Sequence, residues 1–260
     1  MGENLAETLV CEDTSAGKKG CGQLDRILMN KYFKLTLDSD PKVIGVLNGV
    51  HQGEISWNRF QNRLEQKAIE GYFSLEKYQR NVDTIDPHPF EIEYVDAYKN
   101  ATLTHFFGFT PKLWGVEFFL EDRVKNLFDK FKLPNHSYIP THIYQHGKSH
   151  QYWALYIPYS YRPERVDFHN SVFFEGSPIT GKKLRQFEDL EEWNRNKVFR
   201  TEKLAFNANF DSTLDLFVTS FGGAGYYISG KLKNAIEEAN LTGVVITVPK
   251  EPELVFPGLI

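Results

Sequence analysis

The sequence predicts an α+β fold: a mixed, mostly antiparallel sheet with a few helices packed on it. Three observations lead there. Short runs of alternating or wholly apolar residues recur, as in MNKYFKLTLD from Met29 and QYWALYI from Gln151. Two segments, 118–133 and 226–241, carry the stripe of an amphipathic helix. Glycine and proline punctuate the stretches between these runs, and elements so mixed bury their apolar faces by layering helices on a sheet.

In chain order, residues 1–28 are polar, rich in small residues and poor in Phe and Tyr. They read as a disordered extension ahead of one domain spanning 29–260, with Met29 as its natural start. The first strand sets Tyr32, Lys34 and Thr36 against Phe33, Leu35 and Leu37. Val43–Val50 reads as a second strand, ended by Gly49 and Gly53. Ser56 is placed to cap a short helix with Trp57, Phe60, Leu64 and Ala68 on one face. Residues 81–91, with two prolines around a histidine, read as a connection, and Phe90–Val95 as a strand. THIYQHGKSHQYW reads as strand, turn, strand about Gly147-Lys148. Gln151–Ile157 puts Trp153, Leu155 and Ile157 on one face, Val166–Phe174 is a further strand, and a Gly/Pro loop starts at Gly176. Phe187–Phe199 reads as a short helix or turn, and Gly222, Gly223 and Gly225 as a tight turn between Phe217 and Tyr226.

The two helical segments match each other. Leu120, Val124, Leu127, Phe128 and Phe131 recur as Ile228, Leu232, Ala235, Ile236 and Ala239, and Lys125-Asn126 recurs as Lys233-Asn234. A pair of aromatics precedes each helix, a breaker follows (Pro134, Gly243), and a strand ending in proline comes next, at Ile139-Pro140 and Val248-Pro249. A diverged strand–helix–strand repeat is the expectation, and each stripe would contribute several kcal/mol, at roughly 1.5–3 kcal/mol per large apolar side chain.

Bulk composition narrows the function classes. With 34 acidic against 30 basic residues and a net charge of −4, the chain lacks the basic balance of general nucleic-acid binders. No apolar run reaches membrane-spanning length, and the first residues lack the basic and apolar regions of a signal peptide. Both cysteines, Cys11 and Cys21, fall in the extension, so a reducing cytoplasm is expected. The aromatic share of 15% implies a Phe-rich core, or in part a recognition surface.

Candidate chemistry is sparse. GYYISGKL from Gly225 imitates a phosphate loop, but Leu232 stands where the motif needs a hydroxyl for magnesium. His136, His142, His146, His150 and His169 cluster with Asp167 nearby; histidines four apart share one face of a helix, but on the strand–turn–strand read here that spacing does not converge by itself, and a metal site would have to form across the hairpin. No G-x-S-x-G elbow is present. No catalytic residue, metal ligand or cofactor is assigned. The acidic group Glu188, Asp189, Glu191 and Glu192 beside Trp193 reads as a solvated face, or as an acidic patch with an aromatic anchor for a basic partner.

The run Tyr227-Ile228-Ser229-Gly230-Lys231-Leu232-Lys233-Asn234-Ala235-Ile236, followed by Leu241-Thr242-Gly243, resembles a bacterial family of predicted immunity proteins. In that family a serine opens a helix S-x-x-L-K-x-A-[LI], and L-T-G leads into the last strand. Trp114–Pro140, the Val166-Asp167-Phe168 strand and the opening at Met29 are similar to it as well. The likeness spans roughly 29–250 and is strongest over 114–248. The extension with two cysteines departs from the pattern. The resemblance implies a cytoplasmic antitoxin that binds and blocks a cognate protein toxin encoded beside it, without catalysis or cofactor; with the charge balance and the lack of a long apolar run, no nucleic-acid or membrane partner is expected. Glu188, Asp189, Glu191, Glu192 and Trp193 are nominated as the contact. The alternatives are a hydrolase using carboxylates or a histidine metal site, and a carbohydrate-binding module using exposed aromatics.

Overall fold

A computed structural model describes residues 32–257, apart from 48, 61–62, 77–84, 86–89, 159–161, 178, 180, 197, 199, 220, 222–224 and 250. The extension at 1–28 with Cys11 and Cys21, the start at Met29, most of the 81–91 connection and Gly222-Gly223 lie outside the described residues. The fold is α+β. Its elements are β1 (Tyr32–Leu37), α1 (Pro41–Ile44), β2 (Gly53–Ile55), a 3₁₀ turn (Trp57–Arg59), α2 (Arg63–Tyr72) and β3 (Ile92–Ala97). Then follow β4 (Phe106–Phe107), β5 (Phe109–Thr110), β6 (Phe119–Leu120), α3 (Asp122–Phe128), β7 (Ser137–Gln145) and β8 (Lys148–Tyr156). The remainder is β9 (Val172–Ser177), β10 (Gly181–Arg185), α4 (Leu190–Asn196), β11 (Arg200–Ala205), β12 (Leu216–Thr219), β13 (Gly225–Ser229), α5 (Gly230–Glu238), β14 (Val244–Thr247) and β15 (Glu253–Val255).

Among the described residues the strands form three sheets, ordered β4-β6-β8-β7-β3-β2-β5, β12-β13-β1-β14 and β10-β9-β11-β15. The first two share a plan. In β4-β6-β8-β7 and in β12-β13-β1-β14 every neighbouring pair is antiparallel. Each helix therefore joins two strands that run the same way and flank an oppositely directed third, a split β-α-β unit. In the first unit the middle strand, β8, follows by a hairpin. In the second it is β1, from the other end of the chain, so the duplication is permuted.

The match extends to individual side chains. Leu120, Val124 and Phe128 are buried, as are Ile228, Leu232 and Ile236, while Arg123, Asn126, Asp129 and Lys130 are exposed like Lys231, Asn234, Glu237 and Glu238. Lys125 pairs with Asp129 at 3.0 Å and Lys233 with Glu237 at 2.6 Å. Each of those lysines also stands 5.4 Å from a ring on the middle strand: Trp153, which pairs with Leu120, and Phe33, which pairs with Ile228. The expected repeat is thus present, though each helix is shorter than its stripe suggested, because Leu120 and Ile228, which open the stripes, belong to β6 and β13.

The two units grip each other reciprocally. The carbonyls of His105 and Asp215 accept the N–H of the helix-opening residues Glu121 and Ser229, at 2.9 and 2.8 Å. The His105 and Asp215 side chains then reach across to the other unit. Asp215 Oδ2 accepts the Lys132 N–H beyond α3 at 3.0 Å, and His105 Nδ1 accepts the Thr242 N–H beyond α5 at 3.1 Å. Beside this seam Lys132 Nζ donates to Asp211 at 2.9 Å. The Thr213 hydroxyl and this ammonium hold the Asp211 carboxyl down, from 3.8 to about 2. A carboxylate depressed in the folded state stabilises above its unfolded pKa and loses that contribution as pH falls through the folded one. Asp211→Asn should therefore cost a fraction of a kcal/mol, at most about 1, at pH 7, since the pair is solvent-screened. The difference from the unsubstituted chain should fade between about pH 4 and 2, as read from urea midpoints across that range.

Among the described residues three clusters of buried side chains fill the layers. The central one lies between the helix-facing sides of the two duplicated sheets and includes Leu35, Phe106, Phe118, Val124, Phe128, Leu155, Leu232 and Ile236. A second, with Ile69, Tyr72, Phe73, Ile92 and Tyr156, packs α2 on the far side of the seven-stranded sheet. The third, with Tyr32, Phe168, Phe173, Trp193, Phe206, Phe217, Tyr227 and Phe256, joins the third sheet to the far side of β1 and β13. Much of the aromatic share is core.

Several local expectations are corrected. Val43–Val50 is not a strand: Asp40 accepts the Lys42 N–H at 2.9 Å, Pro41 opens α1, and Gly45 at φ +72° ends it. The helix after Ser56 splits into the 3₁₀ turn and α2. Leu64 is 75% exposed, and Ile69 and Tyr72 make the buried stripe. Ser56 does not cap; its hydroxyl donates to Asp96 at 2.5 Å. Val166–Phe174 is strand only from Val172, because Asp167 closes a turn by accepting the Asn170 and Ser171 N–H groups. The β7–β8 turn sits at His146-Gly147, both at positive φ, one residue earlier than expected.

Candidate binding surface

The nominated acidic group is a helix cap. Asp189 Oδ1 accepts the Glu192 N–H, and Glu192 Oε2 accepts the Glu188 N–H, each at 2.8 Å. These two bonds close the start of α4. Glu188, Asp189 and Glu191 are exposed, but Trp193 is only 3% exposed. It packs on Phe168, Phe173 and Phe221, and its indole N–H donates to the Val198 carbonyl at 2.8 Å. The expectation that Trp193 anchors a partner is corrected: the ring belongs to the third core.

The histidines do not converge. His136 Nδ1 lies 2.8 Å from the Pro134 carbonyl, His146 is a turn residue, and His169 meets Glu188 at 3.4 Å. Among the described residues no three His, Cys, Asp or Glu side chains are grouped to hold a metal. The phosphate-loop imitation is strand β13 followed by a helix start. The Ser229 hydroxyl accepts the Leu232 N–H at 3.2 Å, and Leu232 is buried in the central core.

A different surface gathers exposed chemistry. It is the hairpin end of the seven-stranded sheet, on the face whose other end α3 covers. Register aligns Glu54 with Asp96, Asp96 with Tyr144, and Tyr144 with Ser149 across β2, β3, β7 and β8. His142 and Gln151 form the next row. Between Ile92 and Val95 the pairing with β7 slips, so Glu93 and Tyr94 share the place opposite His142. Such bulges re-aim side chains.

Here Tyr94 stacks on Tyr144, with ring centroids 6.1 Å apart and planes within 21°. The Arg59 guanidinium, carried by the 3₁₀ turn, lies over both rings, 4.8 Å from Tyr94 and 4.4 Å from Tyr144, and pairs with Asp96. A hydrogen bond to Glu93 and its charge raise the Tyr94 phenol above its ordinary value. Burial, then Glu54, does the same to Tyr98. Along the second row His142 Nε2 is 3.2 Å from Glu91, and the Ser149 hydroxyl is 3.4 Å from His142 Nδ1. Arg59 and Asp96 remain 38% and 41% exposed. The alternation of THIYQ placed Tyr144 and His142 on one face. Nothing local linked them to Arg59 or revealed the bulge.

No protein-family model matches the sequence, and no curated protein matches it.

Proposed function

We propose that the chain is a binding protein that neutralises a protein toxin in the cytoplasm, acting by occlusion rather than by chemistry. The observation that carries this reading is the platform of Arg59, Tyr94 and Tyr144. Rigid aromatics and arginine are the side chains that dominate binding energies at protein interfaces. Here two strands and the 3₁₀ turn hold them in mutual contact before any partner arrives, which lowers the ordering cost of association. The resemblance of 227–243 to predicted immunity proteins supports the same reading.

Co-expression with the toxin domain encoded beside this gene tests it. Cells carrying both should grow, and the two proteins should co-purify at one to one. Growth arrest with no complex overturns the reading. A hydrolase reading has one observation on its side, the line Ser149–His142–Glu91. It requires turnover of an activated ester such as p-nitrophenyl acetate that disappears in His142→Ala.

A further inference from the structure

We infer that the hairpin end of this sheet face receives an arginine- or lysine-rich segment of a protein partner, held by the carboxylates of Glu54, Glu93 and Asp96 and the rings of Tyr94 and Tyr144. This rests on the reading of the chain as a binding protein and goes beyond it by naming the surface and the charge of what it meets.

Three observations argue for a cationic occupant. Among the described residues the charge on the face is lopsided: Glu54, Glu91, Glu93 and Asp96 share it with one guanidinium, that of Arg59, which Asp96 already engages. Strand alternation sends Lys148, the nearest strand cation, to the opposite side from Ser149 and Tyr144. The rings already accept a guanidinium: Arg59 stands 4.4 Å from the Tyr144 centroid, the geometry of a cation over an aromatic face. A phosphate backbone or an anionic lipid surface would meet repulsion at the same place, whereas a basic protein segment would be steered in. The surface also has built parts. The bulge turns both Glu93 and Tyr94 onto the face, and Ser56 and Arg59 hold Asp96 in place.

The test uses the full chain with a fluorescent deca-arginine peptide at low salt, and deca-glutamate as its opposite. Anisotropy should show binding of deca-arginine only. Hydrogen exchange should gain protection over 91–97 and 141–151. Glu54→Gln/Glu93→Gln, isosteric changes at an exposed and a half-buried strand position, should weaken binding at least about tenfold. Removing the same charge at Glu188→Gln/Glu191→Gln should change it less than about twofold. Equal loss in both double variants, or protection elsewhere, overturns the assignment. The co-expression assay separates the two claims. If the unsubstituted chain does not protect cells from the neighbouring toxin, the functional reading fails. If it protects and Glu54→Gln/Glu93→Gln protects equally, the surface assignment fails and the functional reading stands.

Discussion

Gly243→Ala should destabilise the protein by more than about 3 kcal/mol, combining a strained backbone with a clash. Gly243 has φ +96°, a region that side chains rarely adopt. A Cβ added there would stand 2.1 Å from the Phe106 carbonyl oxygen and 2.6 Å from Thr104 Oγ1. Neither neighbour can give. Phe106 is held by its N–H donating to the Thr242 carbonyl at 3.0 Å. Thr104 belongs to a buried polar hub: Gln52 Nε2 donates to Thr104 Oγ1 at 2.9 Å and Gln52 Oε1 accepts the Gly108 N–H at 3.0 Å. Moving Thr104 would orphan groups that have no water to turn to, at about 1–3 kcal/mol each. Against a total stability of roughly 5–15 kcal/mol this is a large fraction, and the urea midpoint should drop by about 1 M or more. Gly147→Ala is the contrast. Its φ is +77°, but nothing lies within 4 Å of the added Cβ, so only the backbone strain of about 1–2 kcal/mol remains. Equal losses in the two variants would remove the steric argument.

That contrast also separates what the sequence revealed from what it hid. The L-T-G turn was legible as a turn, and the stripes at Val124, Phe128, Leu232 and Ile236 were legible as helix, because 3.6-residue periodicity is a local property. The middle strand of the second unit was legible as a strand but not as a partner. Phe33 pairs with Ile228 across most of the chain, and local pattern does not encode such pairing. Val43–Val50 looked like a strand because its apolar run outweighed the Asp40-Pro41 cap and Gly45, the signals that decided the outcome. Trp193 was misplaced for the opposite reason. Its acidic neighbours suggested a wet face, while the spacing of Asp189 and Glu192, three apart, was the mark of a capped helix that buries one side. The platform drew Arg59, Tyr94 and Tyr144 from three separate segments through a bulge, and bulges leave no reliable trace in alternation.

The duplication makes its own thermodynamic prediction. Phe128 and Ile236 occupy equivalent places in the two units and both line the central core, between helices that touch. Phe128→Ala should cost roughly 3–5 kcal/mol and Ile236→Ala roughly 2–5 kcal/mol, the range for large buried side chains whose cavities only partly collapse. If α3 and α5 share one core, the second cavity opens into a region already loosened by the first. The double variant should then lose less than the sum by about 1 kcal/mol, a coupling expected of residues that share a cavity. Ile69 supplies the control, because it lies in the cluster on the far side of the seven-stranded sheet. Phe128→Ala with Ile69→Ala should be additive within about 0.5 kcal/mol. Because the doubles approach the whole stability of the fold, all variants are best compared in one buffer strengthened with TMAO. Additivity in both pairs would mean that the units are only juxtaposed. Coupling confined to Phe128 and Ile236 would mean that the repeat visible in the sequence, at 118–133 and 226–241, folds as one cooperative centre.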